Sequence, residues 1–273
     1  MSSTLKSVFL WIFSILFTLS LAIYQRMTGP THPVRGSMMV EGQNMKYRLI
    51  RSSDSDKPAE IRFRNAPEGV EGTIRYKRFK VDEEWMETSM KKENGSLTGY
   101  LPPEPPAGKI EYLVTLTHEG QTYEINEVPV VIRFKGPVPA FFLWPHILFM
   151  FFAMLLSTRT GLEAIFNRKQ VRPLAFFTVL CLGLGGLVLG PFVQKYAFGD
   201  YWTGWPFGGD MTDNKTLVAF LFWLIAYLRL MRNKPARIWV ITASVVLLAI
   251  YLIPHSMFGS ELDYTTGEVT TGK

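Results

Sequence analysis

The sequence predicts a membrane α-helical protein of five spans, with an all-β sandwich domain inserted after the first span. Three observations lead there. Apolar residues make up 48% of the 273 residues, and they gather into five runs rather than spreading evenly. A charged block separates the first run from the other four. Within that block the apolar residues recur with period two, as strands with one buried face require.

The runs are 7–24, 138–156, 174–194, 216–228 and 238–254. Roughly 20 apolar residues cross a 30 Å hydrocarbon core, so the first three are full spans. The fourth and fifth are short and reach full length only if Arg229 and Arg232 snorkel at one end, extending the fourth to 216–231. The N-terminal stretch 1–25, with Lys6 at its start, reads as an uncleaved signal anchor, because "SLAIYQRMTG" is a poor small-x-small cleavage site.

Lysines and arginines of the short loops set the orientation. Arg159, Arg168, Lys169 and Arg172 fall between spans two and three, and Arg229, Arg232, Lys234 and Arg237 between spans four and five. Both loops are therefore expected in the cytoplasm, together with the N-terminus. The block 26–137, the loop 195–215 and the tail 255–273 are expected on the periplasmic side of a bacterial inner membrane. Arg26 alone breaks the rule. These eight loop cations account for most of the net charge of +6, so the basic balance is no argument for nucleic acid. The single cysteine, Cys181, falls inside span three and excludes an intrachain disulfide framework.

Residues 40–135 read as about seven strands, among them "AEIRFRN", "GTIRYKRF" and "GKIEYLVTLTHEG", punctuated by Gly, Pro and Asn turns. That density of short strands predicts a sandwich. Asn94 and Asn214 match glycosylation sequons and are read as turn residues. His118 is read as a solvated hairpin residue. The segment "LPPEPPAGKIEYLVTL" resembles the corner of immunoglobulin-like and fibronectin type III-like domains, where a proline-rich turn enters a strand carrying a corner tyrosine. The resemblance implies that fold over 40–135 and makes Tyr112 the corner residue.

In the four-span block 138–273, Gly186 and Gly190 are spaced for close helix approach, within the block or at a dimer seam. Pro191 is placed to kink the same span. His146, near the start of span two, and His255, at the end of span five, share one membrane depth. They are either interfacial residues, the axial ligands of a b-type haem or half of a metal site. The tail "GSELDYTTG" resembles the "GGELVYxxG" signature of four-helix membrane domains suspected to be cytochrome-like. In those domains a histidine opens the first helix and another stands two residues before the first glycine. His146 fits the first place, but Met257 occupies the second and His255 is displaced by two residues.

The loop "YWTGWPFGGDMTDNKT" lies at the same expected surface. Trp202, Trp205 and Tyr201 suit a headgroup layer, Gly204, Gly208 and Gly209 permit sharp turns, and Asp213 with the following "NKT" reads as a helix start. Asp200 and Asp210 are left over. With Glu261, Asp263 and Tyr264 they form a periplasmic rim whose carboxylates are hard ligands of the kind that hold Ca²⁺ or Mg²⁺. No catalytic triad, phosphate loop, HExxH or nucleotide fingerprint is present. The expectation is a non-enzymatic envelope protein that lies in the lipid bilayer, binds a partner protein through the sandwich and uses its helices as a docking platform. A b-haem electron-transfer subunit using His146 and His255 is the main rival, and a transporter component the third.

Overall fold

The computed structural model describes residues 3–254 and 259–270. The N-terminal run forms α1, Ser3–Thr28. The block that follows builds two sheets. The first comprises β1 (Val34–Val40), β2 (Gln43–Leu49), β4 (Ala59–Arg64), β8 (Ser96–Leu101) and β7 (Lys91–Glu93), in that spatial order. The second runs β3 (Ser52–Asp54), β11 (Val130–Lys135), β9 (Lys109–His118), β5 (Glu71–Arg78) and β6 (Met86–Ser89), with β10 (Gln121–Glu124) paired to the far half of β9. All pairs are antiparallel except β3 with β11.

Period-two burial explains why these segments are strands. In β4, Ala59, Ile61 and Phe63 are buried while Glu60, Arg62 and Arg64 face out. In β9, Ile110, Tyr112, Val114, Leu116 and His118 are buried in the same alternating way. The two inner faces share one core in which Met45, Leu49, Ile61, Phe63, Ile74, Ile132 and Phe134 are fully buried. Burying each large apolar side chain contributes about 1.5–3 kcal/mol, so the sandwich has a core of its own. Sequence alternation found the longer strands. It missed β1, because that strand, Val34–Val40, lies before the first alternating segment. Asn94 and Gly95, both with positive φ, form the β7–β8 hairpin tip, as read from the sequence.

The helical block follows with α2 (Ala140–Ile165), a continuous span made of α3 (Val171–Leu182), a π-helical segment (Gly183–Leu189) and α4 (Gly190–Phe198), then α5 (Met211–Met231) and α6 (Arg237–Leu252). Four helices, α1, α2, Val171–Phe198 and α5, are long and apolar enough to cross a membrane. α6 has 16 residues, about 24 Å at 1.5 Å per residue, and falls short of a 30 Å core. Buried Ala153, Ala175, Ala219, Ala226 and Ala243 let the helices approach around Trp223. A short antiparallel pair, β12 (Glu261–Leu262) with β13 (Val269–Thr270), ends the described chain.

One expected boundary is corrected. Span two was to end at 156, leaving Arg159 in a loop, but α2 continues to Ile165 and Arg159 is fully buried inside it. The helix runs on with Arg159 and Glu163, one turn apart, paired at 2.6 Å, which offsets part of the cost that an apolar-length rule assigns to each charge.

Candidate functional site

The proline-rich turn after β8 and the C-terminal tail are distant in sequence, yet they dock on each other at the base of the sandwich. Tyr264 brings its hydroxyl to the backbone of Lys109, accepting from its N–H at 2.9 Å and donating to its carbonyl at 3.1 Å. The Leu262 N–H donates to the Ala107 carbonyl at 3.0 Å. Gly108 is required there, because a Cβ at that position would sit 3.0 Å from the Tyr264 hydroxyl and 2.8 Å from the Pro105 carbonyl. Arg78 covers the Tyr264 ring at 5.3 Å. Glu261 completes the seam, receiving Lys109 Nζ at 2.5 Å and Lys80 Nζ at 3.0 Å.

The shifts at this seam define what the bridge is worth. Burial alone would raise the Glu261 carboxyl, but the hydrogen bonds from Lys109 and Lys80 outweigh it and hold the group below its ordinary value. Lys109 is also pushed down, by burial first, against the pull of Glu261. A lowered carboxyl marks a favourable contact and a lowered ammonium marks a burial cost, so the two largely offset each other and the net contribution is small. Burial likewise raises the Glu104 carboxyl, which lies against the Tyr264 hydroxyl.

A second tie joins the sandwich to the helices directly. The Gly136 N–H donates to the Ala197 carbonyl at 2.9 Å, and a Cβ on Gly136 would collide with the Tyr196 carbonyl. Arg133 of β11 lays its guanidinium 3.9 Å from the centre of the Phe198 ring. Its Nε and one Nη have no hydrogen-bond partner, and burial pushes its pKa down to about 10 against the attraction of Asp210 and Glu261. The group stays charged at neutral pH and is held by ring stacking and by charge at a distance.

The loop after α4 is built on the start of α5. Asp210 is the N-cap, accepting from the Thr212 N–H at 2.7 Å and from the Asp213 N–H at 3.3 Å. Asp213, one turn later, folds back to accept from the Thr203 and Gly204 N–H groups at 2.7 and 3.0 Å. Asn214 accepts from the Trp205 N–H at 2.6 Å. The expected roles are therefore exchanged. Asp210 caps the helix, Asp213 organises the loop, and Asn214 is a helical residue rather than a turn residue. Gly204 has no room for a side chain, since its Cβ would lie 2.5 Å from that of Asp213. The Trp202 indole donates to the Trp205 carbonyl at 3.1 Å. Trp205 and Phe207 are 69% and 82% exposed, and with Trp144 and Phe141 they leave an aromatic band uncovered at this end of the bundle.

The rim carboxylates do not converge. Asp200 is exposed, Asp210 and Asp213 serve α5 and its loop, Glu261 binds two lysines, and Asp263 accepts from the Thr265 N–H at 2.8 Å in its own turn. Among the described residues they form no grouped metal site.

His146 is brought to the π-helical segment, with Nδ1 2.8 Å from the Gly185 carbonyl. His255 lies outside the described residues. Gly186 packs against Thr216 of α5, where a Cβ would approach to 2.6 Å, whereas Gly190 keeps 3.5 Å or more from its neighbours. The close approach expected of both glycines belongs to Gly185 and Gly186, and it lies inside the block. Pro191 stands at the start of α4, directly after the π-helical segment. Tyr112 donates to the Ile50 carbonyl at 2.9 Å, across the core to the link between β2 and β3, rather than to the proline-rich turn before it. His118, expected in solvent, is 8% exposed.

Two features had no counterpart in the sequence reading. Arg159 donates to Ser7 Oγ at 3.2 Å and lies 5.2 Å over Trp11, tying α1 to α2, while Glu163 also receives Arg168 at 3.2 Å. The other is the edge strand β1. Of the outer strands, β3, β6, β7 and β10 have three or four residues each and β1 has seven. Short, charged edges are protected against pairing, as all-charged β7 shows. β1 carries one charge, and Val34 and Met39 on it are 41% and 61% exposed. Its Gly36 is roofed by Tyr47, whose hydroxyl would lie 2.3 Å from a Cβ there.

Surface concavities of ≈ 190 Å³ beside Arg229 and ≈ 220 Å³ beside Asn126 are lined by none of the residues of the tail seam, the 199–210 loop or β1, and both fall below the roughly 300 Å³ at which ligand pockets begin. Comparison with protein-family models, with curated proteins and with solved structures gave no match.

Proposed function

We propose that this chain is a non-enzymatic component of a bacterial inner-membrane complex. Its immunoglobulin-like sandwich stands in the periplasm and engages a partner protein by accepting an extended segment along β1. The observation that carries this reading is the contrast among the sheet edges. Four are short, while β1 presents a seven-residue outer margin with exposed apolar side chains. Strand addition to such an edge supplies main-chain hydrogen bonds, and the alternating side chains supply selectivity. The helices, with α6 as a fifth span, form the platform, and the seam of Tyr264, Glu261 and Arg133 holds the sandwich in one orientation on it. The aromatic band of Trp205, Phe207, Trp144 and Phe141 fits the outer headgroup layer.

The test is recovery of interacting proteins from native membranes with the parent chain and with a Val34→Lys/Met39→Lys variant. A partner retained by the parent and lost from the variant, with equal expression and thermal stability, supports the reading. A partner set that is identical for both chains overturns it.

A second reading, a b-haem subunit, is favoured by the His146 contact alone. Nδ1 donating to the Gly185 carbonyl orients the ring and leaves Nε2 free as a donor atom. Oxidised and reduced absorption spectra of protein from haem-replete cells decide it. A Soret band lost in His146→Ala supports haem, and a flat visible spectrum removes it.

A further inference from the structure

A different cluster lies at the end of β9 opposite Lys109. Two hairpin tips from different sheets meet there. Glu41 and Gly42 turn β1 into β2, and Glu119 and Gly120 turn β9 into β10, all four with positive φ. His118, the last residue of β9, points inward between them and is 8% exposed. Its Nε2 lies 2.8 Å from Glu41 Oε1. Even so, that contact is poorly aligned for a hydrogen bond, and the ring's other flank faces the Gly69 backbone. A buried imidazole in that condition costs free energy, and such a group calls for an explanation. One ligand atom from each of Glu41, His118 and Glu119 lies within 4.8 Å of the other two.

We propose that Glu41, His118 and Glu119 form a binding site for a divalent ion of the zinc class. In a tetrahedral shell with bonds of about 2.0–2.2 Å, neighbouring ligand atoms stand about 3.3–3.6 Å apart, so the Glu41 oxygen draws back from its 2.8 Å contact with the ring while Glu119 adjusts from within 4.8 Å, shifts that two surface glutamates can supply by side-chain rotation. Water fills the remaining position. One imidazole with two carboxylates favours Zn²⁺, whereas Ca²⁺ and Mg²⁺ prefer all-oxygen shells. The ion would satisfy the buried ring and join the β1–β2 tip of one sheet to the β9–β10 tip of the other. Because the glutamates are open to solvent, the metal would exchange with the surroundings. The site is independent of the partner-binding reading.

The test uses full-length protein in mild detergent, carrying no polyhistidine tag and washed with chelator. Zinc chloride is titrated by calorimetry, with magnesium and calcium chloride as comparisons. The expected result is one zinc per chain and no comparable response to the other two ions. The Glu41→Gln/Glu119→Gln protein, altered only at exposed positions, should bind about tenfold more weakly or worse, and its unfolding temperature should lose the zinc-induced rise seen in the parent. Zinc binding undiminished in that variant and in His118→Gln would overturn the proposal, as would no binding by a parent protein that circular dichroism shows to be folded.

Discussion

The base of the sandwich and its first edge treat exposed backbone in opposite ways. At the base, the Lys109, Ala107 and Gly136 backbone groups are all bonded to the tail or to α4. Along β1, seven residues end a sheet, and among the described residues no strand pairs with their outer side. A molecule that closes one margin with a tyrosine, two lysine bridges and a stacked arginine has the means to close another. Under the proposed reading, the base sets orientation and β1 is where a partner is recognised.

The strongest way to break this contrast is to protect the open edge. Val34→Lys/Met39→Lys should reduce partner recovery from membranes at least tenfold while leaving stability within about 0.5 kcal/mol, the usual range for surface substitutions. Thermal unfolding alongside the recovery assay separates the two effects. Opening the closed margin should do the reverse. Tyr264→Phe leaves the Lys109 amide without its acceptor and should weaken tail docking by about 1–3 kcal/mol, read as faster proteolysis of the tail with partner recovery unchanged in the intact fraction. Asp210→Ala removes the α5 cap at a cost of about 1 kcal/mol, visible as faster amide exchange over Thr212 and Asp213.

The smallest effect is one of pH. The Glu261 carboxyl titrates below its ordinary value of 4.5 in the folded protein. Its contribution is therefore complete at neutral pH, begins to fade as pH falls through that value, and is gone below the folded value. Since the group is partly exposed, the change should stay under about 1 kcal/mol. Glu261→Gln should flatten the acid limb of tail docking between pH 6 and pH 3, and an unchanged limb would assign it to other carboxylates.

Much of this architecture was legible in the sequence because it depends on local periodicity. Ile61 and Phe63 announce β4, and the long apolar runs announce four helices. What was not legible depends on contacts between distant residues. "LPPEPPAGK" and "GSELDY" each drew notice, yet nothing local to either shows that Tyr264 reaches Lys109. Asp210 and Asp213 were both plausible caps, and the choice rests on how the loop folds back from Thr203. Arg159 counted as a loop cation because its partner Glu163 and its neighbours Ser7 and Trp11 become visible only once α1 lies beside α2. His118 sits in an ordinary hairpin sequence, and its burial follows from the opposing tip at Glu41. The β1 edge was missed for another reason, since "VRGSMMV" is too irregular for an alternation rule while its role depends on which strands lie beside it.

The most direct measurement of the central claim is site-specific photo-crosslinking in native membranes, with the reactive residue placed in turn at Met39 on β1, Met86 on β6 and Lys92 on β7. A discrete adduct from Met39, absent from the other two and abolished by Val34→Lys, is the predicted result. Adducts from Met86 or Lys92 with none from Met39 would contradict recognition along β1.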